Sequence, residues 1–121
     1  MTQTSTLAAT AAAIIALTTS AEAREFGAIA FSSQSGAHGY SHNYSSRAAA
    51  EQRALSGCRS NGRGCRVVIY FHDACGALAV GHGNGSGYSW GASRREAERR
   101  ALSNCSDYTS SCQVVRWVCS K

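Results

Sequence analysis

Apolar residues in this chain alternate between two periods, and the alternation runs through twice. In "SRAAAEQRALSGC", Ser46 to Cys58, the residues Ala50, Ala54, Leu55 and Cys58 recur at helical spacing and form one stripe. In "SRREAERRALSNC", Ser93 to Cys105, the residues Ala97, Ala101, Leu102 and Cys105 repeat it. Ser46 and Ser93 suit N-caps, and Glu96 three residues after Ser93 completes a capping box. Gly57 and the following "SNGRG" predict the end of the first helix. Beyond each helix the period changes. "CRVVIYF" from Cys65 is rich in β-branched and aromatic residues, as strands are. Its counterpart "CQVVRWV" from Cys112 alternates, so Val115 and Trp117 should face one way and Arg116 the other, toward water.

The duplication extends ahead of the helices. "GAIAFS" at Gly27 returns as "GALAVG" at Gly76, and "GYSH" at Gly39 returns as "GYSW" at Gly87. Each unit therefore runs short strand, glycine-rich loop, short extended piece, helix, strand. This predicts an α+β fold of two tandem β-β-α-β repeats, about residues 26–74 and 75–120. The two share a mostly antiparallel sheet with both helices packed on it. A single unit of this size buries too little surface to stand alone, which gives the repeat a structural reason.

Residues 1–23 read as a signal peptide rather than as part of the fold. Leu7 to Leu17 is an apolar run too short to span a bilayer, and Ala21 and Ala23 occupy the small positions of a cleavage site. No Lys or Arg precedes Arg24, so the usual positive start is missing. The expected mature domain, residues 24–121, carries no further transmembrane candidate and should act in the periplasm or outside the cell. Without Glu22 it holds twelve basic residues against six acidic, a formal charge of +6, and every basic residue but Lys121 is arginine.

Six cysteines in a small exported chain imply three disulfides. Zinc is the competing use, but it favours closer cysteine pairs or paired histidines. Cys58 ends one helix and Cys65 opens the next strand; Cys105 and Cys112 repeat that arrangement, so each pair can close within its own unit. Cys75 and Cys119 are left to pair with each other. They occupy the places of Phe26 and His72 in the first unit, which are then neighbours too. No metal site or cofactor is implied.

The phrases "GAIAFS", "SRAAAEQRALSGC", "CGALAVG", "GYSWG", "SRREAERRALSNC" and "VVRWVCS" together resemble the DUF4189 family of small exported bacterial domains, over about Phe26 to Ser120. The resemblance implies a compact, secreted, disulfide-bearing domain and supplies no catalytic residues.

Charge and aromatic residues supply the candidate chemistry. Tyr40, His42 and Tyr44 in the first unit match Tyr88 and Trp90 in the second, and could form one aromatic edge if the units are related by a twofold axis. Arg94, Arg95, Arg99 and Arg100 give the second helix a basic face beside them. Exposed aromatics next to arginine make good anchors, which points to a non-catalytic binding module. An envelope protein or an anionic or glycan polymer would be its partner; nucleic acid fits neither the compartment nor any motif present. Tyr88 and Trp90 could instead cap the core, and the arginines form a solvated face. The alternative is a small secreted hydrolase, nuclease-like, using His42 or His72. "GHGNGSG" around His82 matches no phosphate-binding loop and reads as a flexible hairpin.

Overall fold

The computed structural model describes residues 24–121, so the expected signal peptide lies outside the described residues. The chain forms β1 (Phe26–Phe31), β2 (His38–Tyr44), α1 (Arg47–Arg59), β3 (Arg66–His72), β4 (Ala74–Val80), β5 (Ser86–Gly91), α2 (Arg94–Ser106) and β6 (Gln113–Ser120). A short 3₁₀ turn, His82–Asn84, sits between β4 and β5. The α+β class and the repeated β-β-α-β order are as the sequence predicts.

The strands do not share one sheet. They form two three-stranded antiparallel sheets, ordered β2-β1-β3 and β5-β4-β6. The reason is on the central strands. Ala28 and Ala30 of β1 face α1, whereas Ile29 and Phe31 face away from it. Likewise Ala77 and Ala79 of β4 face α2, and Leu78 faces the other sheet. Each central strand is apolar on both faces, so each sheet needs a helix on one side and a second sheet on the other. The result is four layers, α1, sheet, sheet, α2, with β2 against β6 and β3 against β5.

Small residues set the spacing of these layers. Each helix lies close on its sheet through alanine, Ala50 and Ala54 in α1 and Ala97 and Ala101 in α2, all fully buried. The repeated Gly39 and Gly87 sit where helix crosses strand. A Cβ on Gly39 would run into the Ala54 carbonyl and the Cys58 backbone nitrogen, and one on Gly87 into the Cys105 nitrogen and Ala101 carbonyl. Contrary to expectation, α1 continues through Gly57 and ends two residues later at Arg59. Gly57 faces Gly39 and leaves a gap, since a Cβ there would meet only the Gly39 Cα at 3.5 Å and the Tyr40 nitrogen at 4.0 Å.

Both helix starts are capped as their serines imply. Ser46 Oγ accepts from the Ala49 N–H at 3.1 Å and Ser93 Oγ from the Glu96 N–H at 3.2 Å. The Glu96 carboxylate reaches back one residue further than a standard capping box and accepts from the Ala92 N–H. The cysteines pair as Cys58–Cys65, Cys105–Cys112 and Cys75–Cys119. Cys75 and Cys119 lie directly opposite on β4 and β6, and at the matching register of β1 and β3 the rings of Phe26 and His72 meet at a tilt, their centres 4.5 Å apart.

Replacing Gly39 or Gly87 by Ala should therefore lower stability by about 3 kcal/mol, the cost of forcing a methyl into a closed helix–strand contact. Gly57→Ala should leave stability unchanged or raise it by about 0.5–1 kcal/mol, because the space is open and helical glycine is unfavourable. Urea unfolding of the oxidised variants distinguishes the two outcomes.

Candidate functional site

A cleft of about 440 Å³ opens along β2, walled by α1 on one side and by β6 on the other. Its floor is the strand itself, His38 to His42, with Tyr44 at one end. Arg53 and Gly57 come from α1, Asn61 from the turn after it and Arg116 from β6. Local structure explains why these side chains converge. Gly39 and Ser41 turn toward α1, where Ser41 Oγ donates to the Ala50 carbonyl at 2.6 Å and holds the helix down. His38, Tyr40 and His42 alternate with them. β2 and β6 are tied at their far ends, where the Asn43 N–H donates to Ser120 Oγ at 2.7 Å.

Arg116 is the cleft's most unusual group. The sequence pattern sends it to water and buries its neighbours; the structure does the reverse. Val115 and Trp117 are 41% and 40% exposed, whereas Arg116 is half-buried, with its guanidinium 4.2 Å from the centre of the Tyr40 ring. A second sheet lies where water was expected, and Arg116 enters the gap between the sheets' edges. Its Nε is buried without a hydrogen-bond partner among the described residues. Such a group costs about 1–3 kcal/mol unless something binds it. The lining contains two arginines and two histidines, and neither Asp nor Glu. Burial, and then the charge of Arg116, hold His38 below the ordinary histidine pKa.

The other sequence candidates are dispersed. Tyr40, His42 and Tyr44 share the cleft, but β2 and β5 occupy opposite edges of the sandwich, so Tyr88 and Trp90 do not join them in one aromatic edge. Tyr88 packs against the core between the sheets. Trp90, 54% exposed, lines a separate depression with Tyr70, Phe71 and His72. Arg94 is already engaged: it hydrogen-bonds Glu98 at 3.2 Å and lies 3.9 Å over the Trp117 ring. Arg47, Glu51 and Tyr70 repeat that arrangement in the first unit, with the ring at 3.8 Å. Arg95 and Arg99 are exposed on the solvent face of α2. His72 pairs with Glu25, not with Asp73, at 3.1 Å from Nε2 to Oε2. Among the described residues no group of three or more His, Cys, Asp or Glu comes together as metal ligands.

From the sequence, His38 passes for a histidine of a glycine- and serine-rich loop, Arg116 for a residue facing water, and Arg53 is not singled out; His38 in fact opens strand β2. One signal for Arg116 was present: it stands where the first unit has Ile69, a core residue, so it departs from the repeat at a position that points between the layers.

The architecture defines a duplicated, disulfide-bonded α+β domain with a cationic cleft along β2. The chain belongs to the DUF4189 family, a domain of unknown function, whose model matches residues 26–119. A solved structure with a similar fold is the NMR structure of Rv1813c from Mycobacterium tuberculosis, with TM-score 0.59 and 24% identity, over 99% of this chain and 96% of that one. No curated protein matches the chain.

The shift at His38 has a consequence for pH. The unfolded chain takes up this proton at a higher pH than the folded protein does. The contribution of His38 to stability is therefore lost as pH falls through the ordinary histidine range toward the folded midpoint, and is fully present above that range. An NMR titration should place the His38 midpoint below that of a free histidine, and Arg116→Gln should move it back upward. A midpoint unmoved by Arg116→Gln would remove Arg116 as a cause.

Proposed function

We propose that this protein is a non-catalytic binding module acting outside the cytoplasm, and that it takes an anionic group of its partner into the β2 cleft. The observation that carries this reading is the buried, unpartnered Nε of Arg116 in a cleft with no carboxylate of its own. An incoming carboxylate or phosphate that draws the Arg116 guanidinium toward it would satisfy that donor in a charge-assisted bond and offset the repulsion between Arg53 and Arg116. Tyr40 supplies an apolar surface beside the charge, partly covered by Arg116. The expected export signal and the three disulfides support a location in an oxidising compartment.

The cleft, rather than the basic face of α2, should carry recognition. On immobilised polyglutamate and polygalacturonate, Arg53→Glu should weaken retention at least tenfold at physiological salt. Arg95→Glu with Arg99→Glu should change it less than threefold. The opposite ranking would return recognition to the helix face.

The hydrolase reading has one observation in its favour, the oriented His72–Glu25 pair beside the Trp90 depression. No hydrogen bond among the described residues joins that imidazole to a hydroxyl. It predicts a turnover that His72→Ala abolishes; the binding reading predicts none to abolish.

A further inference from the structure

Because the chain is duplicated, each unit is a control for the other. β2 and β5 are equivalent strands, each paired on one side only. Edge strands are prone to pair with other chains, and proteins commonly block them. In the second unit the block is visible. Asn104 Nδ2 donates to the Tyr88 carbonyl at 3.1 Å, and Arg100 Nη1 donates to the Trp90 carbonyl at 3.1 Å. Arg100 is itself steered by Glu96, at 2.5 Å. Side chains of α2 thus reach over β5 and occupy successive outward carbonyls.

The first unit lacks each part of that block. Tyr40 and His42 stand where Tyr88 and Trp90 stand. Gly57 replaces Asn104 and has nothing to donate; Ala49 replaces Glu96, so Arg53, the counterpart of Arg100, has no carboxylate to steer it. No side-chain hydrogen bond among the described residues reaches the Tyr40 or His42 carbonyl. Only His38, one step further along, accepts a long one of 3.5 Å from Asn61. The cleft is open because of these replacements, and Gly57 and Arg53 line it.

We propose that the open edge of β2 receives an extended acidic peptide segment of a partner protein, which adds to the sheet as a further strand. This rests on the anion reading above and names its ligand. Main-chain pairing would supply affinity, and acidic side chains at neighbouring positions, one on each face of the added strand, would meet Arg53 from α1 and Arg116 from β6. In the regular stretch of β2, His38 to Ser41, the outward groups of His38 and Tyr40 recur every second residue, about 7 Å apart, which is also the repeat of the amides of an extended peptide. An acidic polysaccharide matches the charge but carries no row of N–H donors at that spacing.

The test uses the oxidised protein and an end-blocked heptapeptide with adjacent Glu residues at its centre, so that both faces of the strand carry a carboxylate, followed by calorimetry. Two further peptides carry N-methyl groups on alternate amides, one along each edge. Methylation of one edge should weaken binding at least tenfold and methylation of the other less than threefold. Gly57→Asn, whose Cβ would meet only ordinary contacts and which introduces the donor seen at Asn104, should also weaken binding at least tenfold. Gly57→Ala, which adds no donor, should bind as the native protein does.

If both methylated peptides bind like the parent while Arg53→Glu abolishes binding, the cleft takes anions but no added strand, and the inference is overturned. It is also overturned if polygalacturonate binds and the peptide does not. If neither probe binds, the anion reading falls with it.

Discussion

The ring of Phe71 lies between two glycines, Gly27 of β1 and Gly76 of β4, and any Cβ at either position would strike it. Phe71 is 2% exposed and belongs to the core between the sheets, with Ile29, Phe31, Leu78 and Val118. These glycines open the repeated "GAIAFS" and "GALAVG" phrases, so the duplication supplies both walls of one slot. A buried phenylalanine contributes about 2–3 kcal/mol by transfer alone, and here it also sets how the two units face each other. The remaining layers follow: with the inner faces joined through Phe71, the outer faces of β1 and β4 are left for α1 and α2. Val118 occupies the place of Phe71 in the second unit, so the slot between the two glycines holds a single ring.

Near-symmetry of this kind makes the exceptions informative. Where the units agree, the shared residues have structural work: the alanine stripes, the Gly39 and Gly87 crossings, and the Arg–Glu–aromatic sets at Arg47 and Arg94. Among the places where the units part are Gly57 against Asn104, Ala49 against Glu96, Ile69 against Arg116 and His42 against Trp90. Three of the first unit's residues at these positions or beside them, His42, Arg53 and Gly57, and one of the second's, Arg116, line a single cleft. Substitutions that break a repeat and converge in space are what binding at one edge, and not the other, requires.

Much of the fold was legible because its local causes are strong. Helical stripes, serine caps and cysteine spacing act within about ten residues and need no tertiary context. Even Cys75 and Cys119 could be placed, since Phe26 and His72 mark the same positions in the first unit. The division into two sheets was not legible, because "GAIAF" and "ALA" read equally as a buried strand in one sheet or in either of two. Arg116 was lost for that reason: its alternation is plain, but which side is solvent depends on where the second sheet lies. The link between His72 and Glu25 was hidden by sequence distance, and the open edge of β2 by the absence of a side chain at Gly57.

The most direct test of the account is a residue-resolved NMR titration of the oxidised protein with polyglutamate. The account predicts that shifts concentrate on His38 to Tyr44, Arg53, Gly57 and the Arg116 side chain, with β5 and the outer face of α2 silent. Shifts concentrated on Arg95, Arg99 or Trp90, with β2 unaffected, would contradict it.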